Sequence, residues 1–488
     1  VNAAAMFQSL LPESVLVLTA LILLGLAVSK RVGAVGAQRI AAAGTLVALA
    51  LMLRGGGVES GGTGLILADP LAHLAKSVLL VVGFLALLLP IAPKETEHPG
   101  EYHALLLFAL TGLMLATGTE HLLMLFISLE LGSLSLYLLA GFPRTPRAAE
   151  ASLKYFLFGA VSAAFLWFGL SLLYGFSGGV MLADVATRLQ SAPDSALAFA
   201  GLAMVLAGLA FKLAATPFHA WAPDVYQGAP ATTVAMVAAA SKVAALVVLL
   251  RILVTGFDAL AGSAAWGAMI SGSSMWLAAL AAVSMIFGNL LALVQRSVRR
   301  LLAYSAIANA GYLLVGLSAN HPSAQAAALT YSVIYSIATL GALAVTAAVE
   351  REHGDDSRNA FDGLVQRSPL LAVALLVCLA SLAGLPPLAG FTGKFALFTQ
   401  SLATVPSHGL VWLVAIAVVT SAVSLRYYLV IVKHAFAGKP ELHIEFKKTT
   451  FEQGLAVALP TLTLVVLGLF PSWLLEPVTR VISQLATR

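Results

Sequence analysis

Long apolar runs, each closed by a short cluster of polar, glycine or proline residues, recur from one end of the chain to the other. A helix rises 1.5 Å per residue, so about 20 apolar residues are needed to cross a hydrocarbon core. Runs of that order predict helices near 12–29, 38–53, 70–92, 102–118, 121–141, 152–176, 197–222, 231–254, 271–294, 301–319, 325–349, 369–400, 410–436 and 453–475, about fourteen in all. The second is short, and the twelfth is long and interrupted. The runs are continuous and lack the strict two-residue alternation of a membrane barrel. The pattern predicts an all-α integral membrane fold.

Composition narrows the classes further. Hydrophobic residues make up 60% of the 488 and charged residues 10%, whereas a soluble domain carries about a quarter charged residues. That excludes a soluble globular enzyme, a disordered chain and a coiled coil. Cys378 is the single cysteine and lies in an apolar run, so the chain holds neither an internal disulfide nor a four-cysteine cluster. No phosphate-binding loop, dinucleotide fingerprint or H-E-x-x-H metal motif occurs. The excess of positive charge is dispersed between runs, which reflects topology rather than nucleic-acid binding. Val1 to Leu11 has no basic segment, so the first helix is expected to stay as an anchor rather than be cleaved.

Basic residues collect on the inner side of membranes. With the first residue outside and helices alternating, the inner segments hold Lys30, Arg31, Arg39, Lys94, Arg144, Arg147, Lys154, Arg296, Arg299, Arg300, Arg351, Arg358, Arg367, Lys433, Lys439, Lys447 and Lys448. The outer segments hold only Arg54, Arg188, Arg251, Arg480 and Arg488. This asymmetry predicts both termini on the outer side. The only polar stretches of any length are 350–368 and 437–452, and Gly55–Gly64 reads as a flexible loop.

Charge at the middle of a bilayer costs at least about 2.5–3.5 kcal/mol per residue, so intramembrane charges are the most informative positions. Glu130 lies near the centre of its run, with Ser133 and Tyr137 on the same helical face at i+3 and i+7. Lys212 has His219 seven residues on, which predicts one shared face. Lys242 is central in its run, and Lys394 follows a glycine- and proline-rich break. Lys76, six residues into its run, is expected to snorkel to the headgroups. Arg426 is expected to make an ion pair or a lipid contact. His73, His98, His103, His121, His321, His353, His408, His434 and His443 lie near run ends and are expected at the surface. Burial disfavours a charged amine and a nearby carboxylate favours it. Moving a carboxylate relative to a buried lysine therefore switches its hold on a proton.

Pro217, Pro223 and Pro230 follow Lys212, and Gly384, Pro386, Pro387, Gly390 and Gly393 precede Lys394. Proline in a helix removes a donor and clashes with the preceding turn. Each half of the chain thus carries a lysine beside an interrupted helix, and matched interruptions in two halves point to inverted repeats around an ion path. The expected units are N-terminal helices over 1–101, five-helix repeats over 102–254 and 271–436 with the broken helix fourth in each, and a loop and last helix over 437–488.

These residues carry a resemblance. Lys212-Leu-Ala-Ala-Thr-Pro217-Phe218-His219-Ala-Trp221-Ala-Pro223-Asp224-Val225-Tyr226-Gln227-Gly228-Ala229-Pro230 resembles the signature of the antiporter-like subunits of respiratory complex I and of the multisubunit cation/proton antiporters. Trp221 to Pro230 is most similar to the subunit N branch of that family. Ser241-Lys242, Leu301-Leu-Ala-Tyr304-Ser305-Ala-Ile-Ala and Gly384-Leu-Pro-Pro387-Leu-Ala-Gly390-Phe-Thr-Gly393-Lys394 add to it, and the likeness spans nearly the whole chain. It implies a proton relay in a bacterial inner-membrane NADH:quinone oxidoreductase. Glu130 and Lys212 would be its input pair, His219 the motif histidine, Lys242 the centre and Lys394 the exit side. Glu150 and Lys154 match charged positions early in the sixth helix. Relatives often carry histidine where this chain has Asn309, which cannot be protonated near neutral pH but can order a water chain. Tyr331 and Tyr335, at i and i+4, are candidates for the lining. The resemblance implies a translocating part with no redox centre and no cofactor or metal of its own. Flavin, iron–sulfur clusters and quinone would belong to partner subunits. The partners would be neighbouring antiporter-like and small membrane subunits and lipids, with no nucleic acid. Three other readings share some features: a sodium/proton antiporter subunit, a non-conducting scaffold subunit and, least favoured, a solute transporter.

Overall fold

The computed structural model describes residues 10–29, 32–54, 61–62, 64–89, 97–403, 409–439 and 450–487. The Gly55–Gly64 loop and the 437–452 stretch lie mostly outside these, as does the segment before Leu11. Lys30, Arg31, Lys94, Lys447, Lys448, Arg488, His408 and His443 lie outside them altogether.

The helices are α1 (Leu11–Val28), α2 (Ala34–Arg54), α3 (Pro70–Leu87), α4 (Pro99–Thr117), α5 (Leu122–Ala140), α6 (Pro146–Ser177), α7 (Leu182–Ser191), α8 (Ala196–Leu213), α9 (Ala222–Gly228), α10 (Ala231–Gly256), α11 (Ser273–Leu293), α12 (Val298–Ser318), α13 (Pro322–His353), α14 (Pro369–Ala383), α15 (Ala389–Ala403), α16 (Val411–Ala437), α17 (Phe451–Leu469) and α18 (Ser472–Ala486). Gly61–Gly62 pairs antiparallel with Leu67–Ala68. Among the described residues, thirteen helices are long and apolar enough to span a membrane, and α14 with α15 fills the twelfth expected run. The chain is a multi-pass membrane protein.

Local chemistry explains the boundaries. Asp69 caps α3 by accepting from the amide of Ala72, and Pro70 sits in its first turn. Thr145 with Pro146 starts α6, Ser195 starts α8 and Ser297 starts α12. Such side chains accept from amides that the first helical turn leaves without partners. Three of these helices, α7, α9 and α18, were not anticipated. α7 and α18 bury only Leu182, Val185 and Leu189, and Val478, Ile482 and Leu485. Apolar residues three or four apart make one buried stripe, but they never form a long run.

Nearly all of α10, α12 and α13 is buried, whereas α1, α2, α6 and α17 leave much of their surface exposed. On α5 the exposed residues Leu123, Ile127, Leu131, Leu134 and Leu138 form a stripe along one side. Small residues allow close approach inside: a Cβ on Gly112 of α4 would collide with the α5 backbone at Gly132, and one on Gly288 of α11 with α12 at Ala308.

Candidate functional site

The seventh expected run ends early, at a break after Leu213, and the twelfth is split in two, by similar means. α8 stops at Leu213 because Ala214 adopts a left-handed conformation (φ 58°), Thr216–Pro217 is cis, and the chain turns helical again as α9. α14 stops at Ala383 because Gly384 is left-handed (φ 84°), Pro386–Pro387 is cis, and α15 follows. Side-chain hydroxyls satisfy amides in both breaks: Ser284 accepts from Thr216 and Ser381 accepts from Gly390.

A half-helix that ends inside the bundle leaves carbonyls without partners, and its C-terminal end is electronegative. Buried lysines occupy both ends. The Lys242 ammonium donates to Leu213 O at 3.1 Å and to Ala306 O of α12 at 2.7 Å. Lys394 Nζ donates to Leu382 O at 2.9 Å, Ala383 O at 3.4 Å and Ser421 Oγ at 3.0 Å. Aromatic faces complete each pocket: Tyr335 lies 5.7 Å from Lys242 Nζ, and Tyr312 lies 5.1 Å from Lys394 Nζ. Lys242 sits two residues after a widened π-helical turn, Met236–Ala240, of a kind often found at functional sites.

Lys212 precedes the first break and is the only one of the three with a carboxylate among the described ion pairs. Its ammonium lies 3.8 Å from Glu130 Oε1 and donates to Ser133 Oγ at 2.5 Å. Glu130 and Ser133 share a face of α5, as their spacing predicts. Because Lys242 grips Leu213 O, the first two lysines meet at one break.

His219 does not share a helical face with Lys212. The spacing of seven implies such a face only on an unbroken helix, and the chain leaves helical geometry between Leu213 and Ala222. His219 is half-buried in the break itself. Lys76 does not snorkel: it is buried and lies 2.6 Å from Glu13 of α1. Arg251 is no outer-segment charge. It is 1% exposed in α10 and clasps Asp69 through two bonds of 2.6 and 2.9 Å, with Glu120 at 3.2 Å. His103 is buried against Pro99 O rather than at the surface. Arg426 points outward from α16.

Glu150 and Lys154 are paired at 2.7 Å, and Lys154 also reaches Asp224 of α9 at 2.7 Å. Asp224 in turn holds Arg300 of α12 at 2.6 Å. Arg299 bonds Ala229 O, just beyond α9, at 2.8 Å and pairs with Glu350 at 2.7 Å. The short half-helix α9 is thus tied by charge to α6 on one side and α12 on the other. Asn309 accepts from Tyr331 at 2.5 Å and donates to Ser305 O at 2.8 Å. Tyr335 lies on the same α13 face as Tyr331, one turn on.

Sequence reasoning missed Glu13, Asp69, Glu120, Asn289, Tyr312, Tyr427 and Tyr428. Glu13, Asn289 and the tyrosines are polar positions within apolar runs, the same signal that exposed Glu130, while Asp69 and Glu120 flank such runs. Their partners lie on other helices and cannot be read from spacing.

Residues 119–424 match the family described as NADH:quinone oxidoreductase/Mrp antiporter, TM. The chain is 44% identical over 410 residues to NADH-quinone oxidoreductase subunit N 2 of Acidobacterium capsulatum, covering 82% of each chain. It superposes with a TM-score of 0.79 on a chain of respiratory complex I from Thermus thermophilus with bound aureothin, at 33% identity and covering 95% of this chain and 98% of that one. A chain of the Mrp complex from Dietzia sp. shares the fold at a TM-score of 0.84 and 23% identity, covering 98% of each. The chain belongs to the NADH:quinone oxidoreductase/Mrp antiporter transmembrane family.

Proposed function

We propose that this chain is an antiporter-like membrane-arm subunit of a bacterial NADH:quinone oxidoreductase and moves protons across the bilayer while other subunits reduce quinone. The relatives named as subunit N support the assignment to that enzyme, and one observation carries the mechanism. An acid–base pair, Glu130 with Lys212, lies at a helix break whose carbonyl end is gripped by a second buried amine, Lys242.

Two unit charges about 4 Å apart interact by about 4 kcal/mol at an effective dielectric of 20. Drawing Glu130 away therefore weakens the hold of Lys212 on its proton by an amount of that order. Glu130 stands beside the exposed stripe of α5 and is itself partly exposed, where a neighbouring subunit can act on it. The released proton passes by way of His219 and hydrated polar side chains towards Lys242, and from there towards Lys394. Tyr331, Tyr335 and Asn309 line the middle, and Asn309 orders the path without being protonated. Glu150 and Lys154 stand at the end of α6 from which protons are collected.

The two breaks, each in the fourth spanning helix of a five-helix unit, support inverted repeats over 102–254 and 271–436. Both termini lie on the outer side of the inner membrane in this reading. The chain needs no cofactor or metal of its own, and flavin, iron–sulfur clusters and quinone sit in partner subunits. Purification in mild detergent tests the assignment. Flavin and iron–sulfur absorbance should accompany the chain. A preparation containing only other antiporter-like membrane subunits, active in sodium/proton exchange without a redox substrate, would replace this reading by the Mrp one.

A further inference from the structure

Lys394 is buried and, among the described residues, no carboxylate pairs with it, so any proton it gains or loses must pass through a protic neighbour. Three groups accept hydrogen bonds from its ammonium. Two are the backbone carbonyls of Leu382 and Ala383, which cannot carry a proton onward. The third is the hydroxyl of Ser421 on α16.

A row of buried side chains starts from that hydroxyl. Tyr312 of α12 lies beside Ser421 and places its ring 5.1 Å from the Lys394 ammonium. Its hydroxyl donates to Thr420 Oγ1 at 3.4 Å and accepts from Asn289 Nδ2 at 3.1 Å. Asn289 Oδ1 accepts from the Tyr427 hydroxyl at 3.1 Å. The neighbouring Tyr428 hydroxyl bonds Ser305, next to Ala306, whose carbonyl holds Lys242. Buried hydroxyls need partners in any protein, so satisfaction alone does not distinguish a relay. The arrangement around Lys394 does: the one hydroxyl on the ammonium adjoins a tyrosine whose rotor is set by an amide. A hydroxyl accepts one proton and gives up its own, whereas an amide passes a proton only by becoming an imidic acid. Asn289 therefore orients Tyr312 and does not conduct.

We propose that Ser421 and Tyr312 form the protic access to Lys394, with Asn289, held by Tyr427, as the positioning residue that turns the Tyr312 hydroxyl. In the step, Lys394 gives a proton to Ser421 as Ser421 gives its own to the Tyr312 oxygen and Tyr312 gives its own to Thr420 Oγ1, which accepts its hydrogen bond. One proton leaves the amine, one arrives at Thr420, and nothing is oxidised. This rests on the proton-translocating reading and assigns it two relay residues and one positioning residue that were not legible in the sequence.

The assembled oxidoreductase in sealed vesicles, driven by NADH and quinone, provides the test. Tyr312→Phe keeps the ring beside the ammonium and removes only the hydroxyl. It should slow proton translocation about tenfold or more, the low end of what a positioned acid–base group contributes, and raise the ratio of rates in light and heavy water per assembled complex. Ser421→Ala should do the same, and Ser421→Thr should restore the rate. Tyr102→Phe removes an equally buried hydroxyl that bonds Thr233, away from the row, and should leave both readouts unchanged. If Tyr312→Phe fails to assemble, the Ser421 pair decides alone. Normal translocation in Tyr312→Phe and Ser421→Ala beside a dead Lys394→Ala overturns the relay and leaves the wider reading standing. Normal translocation in Lys394→Ala overturns both.

Discussion

The two helix breaks are built alike and charged differently. In each, a left-handed residue ends a half-helix, a cis proline redirects the chain, and an ammonium sits on the exposed carbonyls. Among the described residues, only at the first does a carboxylate stand near a lysine: Glu130 lies 3.8 Å from Lys212, while Lys394 meets neutral oxygens and the Tyr312 ring. A charged amine in hydrocarbon needs compensation, and a carboxylate gives more of it than dipoles do. The first break can therefore be switched by moving an acid. The second can only respond to protons that arrive, so the same backbone device serves as input in one place and as receiver in the other.

The comparison breaks most severely at Glu130. In Glu130→Gln the first break loses its acid and comes to resemble the second. The change removes an attraction of about 4 kcal/mol from the Lys212 proton, so proton uptake by vesicles under NADH should fall at least about tenfold. Ser421→Asp makes the converse change. It gives Lys394 a carboxylate and should trap its proton, slowing translocation about tenfold, since each tenfold needs only about 1.4 kcal/mol. Translocation at the normal rate in Ser421→Asp would show that the receiver tolerates an acid and that the contrast is incidental. The smallest effects concern the caps. Gly384→Ala puts a Cβ at φ 84°, 3.2 Å from the Lys394 side chain. It should lower the thermal midpoint of the complex through about 1–2 kcal/mol of left-handed strain. Ala214→Gly relieves the corresponding strain at φ 58° and should raise the midpoint or leave it level, since glycine brings an entropy cost of about 0.5–1 kcal/mol. Equal shifts of the same sign would show that the caps are not strained.

Much of this was legible because hydrocarbon punishes charge. Glu130, Lys212, Lys242 and Lys394 stand out in apolar runs, and Gly384 with Pro386 and Pro387 announces the second break. The first break was harder to place. Pro217 marks it, yet helical counting across it put His219 on the face of Lys212, a face that ends at Leu213. Partners were harder still. Lys76 looked able to reach the headgroups, but Glu13 lies on a helix 63 residues earlier, and only packing brings them to 2.6 Å. Arg251 stood at the rim of its run and passed for a surface charge until Asp69 and Glu120 closed on it. The Asn289–Tyr312–Tyr427 row joins three positions on three helices, none of them charged, and no periodicity links them.

The most direct measurement is the number of protons moved per NADH oxidised by the assembled complex carrying Lys242→Ala, the amine that joins the first break to α12. The account predicts that the proton gradient collapses and quinone reduction slows with it. An unchanged ratio at an unchanged rate would contradict it, because the buried amines would then be structural and no proton would travel along them.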